Sequence, residues 1–94
     1  QVAGLKLKRA QVLAYQGRPL AQIVFSDGEG RPIALCVIGN GDQSRTTDIA
    51  LAEVQGLESA AFSRDGFSFL LIGPTDQAAI SSFADAFQGL FAQS

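Results

Sequence analysis

Three segments in the first half of the chain carry apolar residues at the two-residue period of β-strands. They are residues 7–15 (LKRAQVLAY), 19–26 (PLAQIVFS) and 31–39 (RPIALCVIG). QG and DGEG separate them, and both are turn sequences, because glycine and aspartate accept the backbone angles of tight turns. The pattern therefore predicts a meander of three antiparallel strands.

The length of each turn predicts how these strands pair. A two-residue QG loop places Leu13 opposite Leu20. A four-residue DGEG loop then places Ile23 opposite Ala34. With this register one face of the meander holds apolar residues only, and we expect it to be the core face: Ala10, Val12, Ala14, Ala21, Ile23, Phe25, Ala34, Cys36 and Ile38.

The opposite face of the meander carries a second apolar set beside Gln11 and Gln22. Its members are Leu13, Leu20, Val24, Ile33, Leu35 and Val37. A small monomer seldom leaves so much apolar surface exposed to water, so we expect this set to form an interaction face. A symmetric homodimer is the simplest cover, because one self-complementary surface closes the assembly. The alternative is that residues 40–56 fold back over this face and leave a monomer.

Residues 61–73 (AFSRDGFSFLLIG) predict a second hairpin around Asp65–Gly66. A type I′ loop there pairs Phe62 with Phe69 in the core and Ser63 with Ser68 on the outside. Ser63, Arg64 and Asp65 are then the corner of a hairpin. A serine nucleophile needs a base within hydrogen-bond reach, and the chain has no histidine, so we predict no catalytic role for these three residues.

From Pro74 onwards the apolar period changes to about 3.6 residues, which is the period of an α-helix. The apolar positions of this stripe are Ile80, Phe83, Ala84, Phe87 and Phe91. Thr75 is the expected N-cap of a helix over 75–91. We expect the stripe to pack on the all-apolar face of the sheet.

Residues 40–56 contain a polar stretch, NGDQSRTTD, followed by IALAEV. The polar stretch predicts an exposed loop. IALAEV fits an edge strand and equally a short helix capped at Thr47, because so short a run does not separate the two periods.

Composition limits the class of protein. The 94 residues make one domain, and 47% of them are hydrophobic, which is enough for a core. Together with the pattern this predicts an α+β fold, an antiparallel sheet of about five strands with one C-terminal helix on one face. Seven basic residues against nine acidic ones leave no basic stripe for nucleic acid. One cysteine, Cys36, and no histidine predict no internal disulfide, no metal site and no cofactor.

The order of these segments resembles the extracytoplasmic C-terminal domain of bacterial transmembrane anti-sigma factors, which are transmembrane transcriptional regulators. In that family a GRPAALLVY…DGRRITLYV hairpin precedes G…VVYW…DGLGYALVG and a helix with L…LA. The corresponding segments are GRPLAQIVF (17–25), GRPIALCVI (30–38), AFSRDGFSFLLIG (61–73) and AAISSFADAF (78–87). Phe62 stands where the family usually has tryptophan.

The resemblance extends from about Leu7 to Phe91. It implies a non-catalytic sensory or regulatory domain on the periplasmic side of a bacterial inner membrane, acting through protein or ligand contacts. The sigma factor would be held only by a cytoplasmic part that precedes this chain in a longer membrane protein. The alternative function is a free-standing small binding protein, secreted or lipid-anchored. No apolar run reaches the roughly 18 residues that a membrane span needs.

Overall fold

The structure is a computed structural model that describes residues 4–42 and 46–91, with Phe91 described by its backbone alone. One antiparallel sheet carries six strands in the order β1-β2-β3-β6-β5-β4, and one helix follows it. The elements are β1 (Lys6–Tyr15), β2 (Arg18–Ser26), β3 (Pro32–Gly39), β4 (Ala50–Val54), β5 (Leu57–Arg64), β6 (Phe67–Gly73) and α1 (Gln77–Phe91). The predicted α+β class is confirmed, with one strand more than expected.

The additional strand is β4, which comes from the segment whose structure the sequence left open. The sheet consists of two three-stranded meanders, β1-β2-β3 and β4-β5-β6, joined by antiparallel pairing of β3 with β6. β4 lies at the opposite edge of the sheet from β1, and the Asn40 amide contacts Ser68 on the side away from α1. The strand part of this segment, β4, therefore does not fold back over the predicted interaction face.

Three two-residue turns set most of the register. Gln16–Gly17, Gln55–Gly56 and Asp65–Gly66 all have positive φ at both positions, which is the geometry of type I′ turns. The predicted pairings across the QG and DG turns are confirmed. Phe62 stacks on Phe69 in the core with ring centroids 4.8 Å apart.

The loop between β2 and β3 is one residue longer than predicted. Ser26 pairs with Pro32, so the loop runs over the five residues 27–31. The Asp27 carboxylate organises it, because Oδ1 accepts the N–H groups of Glu29 and Arg31 and Oδ2 accepts the Arg31 Nε–H, each at 2.8–2.9 Å. Burial by itself raises the pKa of Asp27. The hydrogen bonds from Arg31 and Glu29 together lower it by more than that, so the pKa lies below its ordinary value.

This one-residue difference reverses the faces of β3. Ile23 pairs with Leu35 rather than with Ala34, so the predicted register is wrong here. Side chains alternate between the two faces of a strand, and a shift of one residue moves each to the other side. The helix side of the sheet therefore receives Ile33, Leu35 and Val37, while Ala34, Cys36 and Ile38 face the opposite side.

The helix α1 closes the core over the middle and the β5 side of the sheet. Its contacts are mainly with β5 and β6, and the Phe87 ring packs 5.4 Å from the ring of Phe25. The buried core comprises Leu5, Phe25, Ile33, Leu35, Ala60, Phe62, Phe69, Leu71, Ile80, Ala84 and Phe87. The predicted helix stripe is confirmed at Ile80, Phe83, Ala84 and Phe87, whereas the side chain of Phe91 lies outside the described part of the structure.

The N-cap of α1 is Asp76 and not Thr75. The helix begins at Gln77, and Oδ1 of Asp76 accepts the N–H of Ala79 at 2.7 Å. A carboxylate at this position also interacts favourably with the positive end of the helix dipole. The Thr75 N–H instead donates to the carbonyl of Gly73 in the turn after β6.

Gly66→Ala is expected to lower the free energy of unfolding by about 1–2 kcal/mol, because the left-handed conformation disfavours a Cβ atom. Gly66 has φ +88° in the second position of its turn. Urea denaturation of the variant and of the wild type measures the difference. Gly28→Ala is the control: Gly28 has no positive φ and its added Cβ meets nothing within 4 Å. Equal losses from both substitutions would contradict the turn assignment.

Candidate functional site

The structure divides the six residues of the predicted interaction face between the two sides of the sheet. Ile33 and Leu35 are buried in the core under α1, and Val37 packs against that core. Leu13, Leu20 and Val24 lie on the opposite side. The six residues do not form one surface, and the cause is the five-residue loop described above.

We call the sheet surface opposite α1 the open face. Its apolar residues are Leu13, Leu20, Val24, Ala34, Cys36, Ile38, Leu70 and Ile72. Leu13 is 42% exposed and Leu70 36% exposed. Nε2 of Gln11 donates to Oε1 of Gln22 at 2.6 Å within this surface, so one hydrogen bond links the two amides. The open face is thus apolar and partly exposed to solvent.

Cys36 lies on the open face between Gln22 and Leu70. Burial raises the pKa of its thiol, which favours the neutral, less nucleophilic form. Among the described residues no three side chains of His, Cys, Asp or Glu come together as a metal site would require.

The serine pair lies on the side of the sheet away from α1, but Ser63 is not exposed as predicted. Only 6% of its surface is accessible. Its hydroxyl lies 3.2 Å from that of Ser68, which in turn accepts a hydrogen bond from the Asn40 amide. Thr47 completes the surroundings, because its hydroxyl accepts the Ser63 N–H. These hydrogen bonds link the ends of β5 and β6 to the loop before β4, and none of them supplies a base to the Ser63 hydroxyl.

An apolar groove lies on the helix side of the sheet, and we call it the β3–β6 groove. Its volume is about 350 Å³, and its lining residues are Ile23, Leu35, Val37, Arg64, Asp65, Phe67 and Phe69. The groove exists because α1 contacts mainly β5 and β6 and reaches β2 at Phe25, which leaves β1 and the rest of β2 uncovered. A second hollow of about 440 Å³ shares Val37 and Phe67 with it and continues towards Arg18.

Arg64, with Asp65 beside it in the chain, supplies the charged groups of the β3–β6 groove. Its Nε is buried and has no hydrogen-bond partner, and it lies 3.7 Å from Oδ2 of Asp65. The Arg64 side chain as a whole is 29% exposed, whereas that of Asp65 is 72% exposed. The Asp65 carboxylate thus lies mostly in solvent, whereas the Nε of Arg64 is not accessible to water. A groove of this kind can hold an apolar group that carries a hydrogen-bond acceptor at one end.

Sequence reasoning missed this groove because it depends on the register of β3. With the predicted register, Leu35 and Val37 would lie on the other face from Ile23 and Phe69. The sequence places Arg64 at a hairpin corner, which is where the structure has it, but no sequence signal shows that this corner lies beside an uncovered part of the sheet.

Comparisons of the chain with protein-family models, with curated proteins and with solved structures found no match. Within residues 4–42 and 46–91, no helix combines the length and the apolarity needed to cross a bilayer.

Proposed function

We propose that this chain is a non-catalytic regulatory domain that works by binding, as the extracytoplasmic part of a transmembrane anti-sigma factor. The membrane and sigma-factor context comes from the sequence resemblance. The binding role is supported by one observation, the β3–β6 groove with its apolar wall and its incompletely satisfied guanidinium.

Binding accounts for this site better than catalysis does. The polar groups at the groove are Arg64 and Asp65. Arginine does not act as a base because it stays protonated, and the Asp65 carboxylate is 72% exposed and lies 3.7 Å from Arg64 rather than beside a nucleophile. Ser63, the neighbouring hydroxyl, contacts Ser68 on the other side of the sheet. The chain contains no histidine to activate it. The alternative role as a free-standing binding protein would use the same groove.

The ligand we propose is the C-terminal end of an apolar peptide, with one or two side chains in the groove and the carboxylate on Arg64. A volume of about 350 Å³ is at the lower end of ligand pockets, so it suits a short apolar segment rather than a large cofactor. Arginine recognises carboxylates through paired N–H donors.

The test uses two versions of one acetylated tripeptide of valine, leucine and phenylalanine, one ending in a free carboxylate and one in an amide. Isothermal titration is expected to show tighter binding of the acid. Arg64→Gln is expected to weaken binding of the acid by at least about tenfold, since a hydrogen bond to a charged group contributes about 1.5–3 kcal/mol and 1.4 kcal/mol is about a factor of ten. Binding of the amide is expected to stay nearly unchanged.

Arg9→Gln is the matched control, because it removes the same charge from β1, away from the groove. Three results would each refute the ligand assignment: neither peptide binds, the acid and the amide bind equally, or the two arginine substitutions have equal effects.

The regulatory context has a separate test. The gene is expected to encode a membrane helix ahead of this domain and to lie beside a sigma-factor gene, and a gene with neither feature would favour the free-standing binding protein.

A further inference from the structure

The first strand, β1, is an exposed strand at one edge of the sheet. All ten residues of β1 are exposed, and the strand pairs only with β2, at one edge of the sheet. Its large apolar side chains are exposed on both faces: Leu7 59%, Val12 73%, Leu13 42% and Tyr15 53%. An edge of this length and apolarity is a template for another strand.

The turn after β1 determines which backbone groups point away from β2. A type I′ turn at Gln16–Gly17 is closed by hydrogen bonds between the flanking residues Tyr15 and Arg18. Hydrogen-bonded and non-hydrogen-bonded pairs alternate along an antiparallel ladder. The N–H and C=O groups of Ala10, Val12 and Ala14 therefore point to the open edge.

Only one half of this edge has the features that normally prevent strand addition. Lys6, Lys8 and Arg9 lie in the first half, where the pairing with β2 is irregular between Leu7 and Arg9. Charged residues and bulges of this kind protect sheet edges. The second half, Ala10–Tyr15, contains no charge and no proline. Strand addition is thus unopposed over those residues.

We propose that a second copy of this chain pairs with β1 in antiparallel orientation, with Val12 on the two-fold axis. In this register Val12 faces Val12 of the second copy, and Ala10 of each copy faces Ala14 of the other. Each of these three pairs exchanges two backbone hydrogen bonds, because all three residues present both groups to the edge. Moving the axis by one residue in either direction retains only two such pairs.

Side chains and charges fit this register. Tyr15 comes opposite Arg9 of the second copy, where an aromatic ring and a guanidinium attract each other. Leu13 comes opposite Gln11. The basic groups Lys6, Lys8 and Arg9 of the two copies lie at opposite ends of the interface, so like charges do not meet across the axis.

The second edge of the sheet is a poorer partner for β1. β4 has five residues, one of which is Glu53. Pairing β1 with β4 of another copy would be heterologous and would continue to further copies as a ring or a filament, whereas pairing of β1 with itself closes after two copies. The two-fold dimer is independent of the β3–β6 groove, which does not include the edge of β1.

Analytical ultracentrifugation of the chain is expected to show a dimer, and X-ray scattering a radius of gyration well above the 12.7 Å of one copy. Val12→Pro removes an outward N–H that β2 does not use, and proline is tolerated on edge strands. We expect it to raise the dimer dissociation constant at least tenfold. Val12→Lys, which places two ammonium groups on the axis, is the second variant in case Val12→Pro does not fold. Leu90→Lys alters an apolar residue of α1 that is 48% exposed and is expected to leave the dimer intact.

Cross-linking tests the register. In a Cys36→Ser background, Val12→Cys is expected to form a disulfide between copies on mild oxidation, since facing Cα atoms about 5.5 Å apart permit it. Ala10→Cys is expected not to, because strand geometry separates the two copies of that residue by about 13 Å along the axis of the strand. Four results would each overturn the proposal. They are a monomer at high concentration, a dimer that survives both Val12 substitutions, cross-linking through residue 10 alone, and a polymer that grows with concentration.

Discussion

Phe87→Ala is expected to lower the free energy of unfolding by about 3–5 kcal/mol, the usual cost of truncating a large aromatic side chain in a core. Phe87 is 3% exposed and its ring packs against that of Phe25 on β2. The substitution therefore removes a contact between α1 and the β1–β2–β3 meander as well as the burial of the Phe87 ring itself. For a domain of ordinary stability this is a large fraction of the total.

Chemical denaturation of the wild type and the variant measures this loss. Leu90→Ala is the matched control on the same helix, because Leu90 is 48% exposed, and its expected loss is below about 1 kcal/mol. A loss below about 1 kcal/mol for Phe87→Ala as well would show that α1 does not pack on the sheet through this face.

Ile33→Ala and Ile38→Ala are expected to have different effects although they are the same chemical change on the same strand. Ile33 is fully buried beside Gly73, where an added Cβ would lie 2.6 Å from Cδ1 of Ile33. Its truncation leaves a cavity in the core and should cost about 2–5 kcal/mol. Ile38 lies on the open face and is only partly buried, so its truncation should cost about 1.5 kcal/mol or less.

This pair of substitutions discriminates between the two registers of β2 and β3. With a four-residue loop, Ile38 would be in the core and Ile33 on the open face, and the order of the two losses would be reversed. Denaturant midpoints with equal slopes give the comparison, because a change in slope would indicate a change in the compactness of the unfolded or native state or a loss of two-state unfolding. A larger loss for Ile38→Ala would contradict the five-residue loop organised by Asp27.

The β3–β6 groove and the open edge of β1 have one structural cause. The helix is 15 residues long and lies over β5 and β6, while the sheet has six strands. One helix of this size covers only part of one face. The β1–β2 hairpin therefore extends beyond the core with backbone groups and apolar side chains that further pairing or binding can use. If both proposals hold, dimerisation would place two grooves on one continuous sheet, an arrangement suited to a regulator that acts as a pair.

Local patterns in the sequence determined most of the individual elements. The two-residue period predicted the first three strands, the longer period predicted α1, and the QG and DG dipeptides predicted two hairpins with the correct partners. These features depend on residues close together in the chain. Turn chemistry and periodicity are local, so a single sequence contains enough information for them.

The tertiary structure decided the face of β3, the identity of β4 and the position of the groove. The face of β3 depended on one residue of loop length, which followed from the Asp27 side chain bonding to Glu29 and Arg31. A strand identity for residues 50–54 came from pairing with β5, since IALAEV by itself also fits a helix. The groove required the register of β3 and the placement of α1 together. Each of these depends on contacts between distant segments or on a particular side-chain geometry, and periodicity carries no information about either.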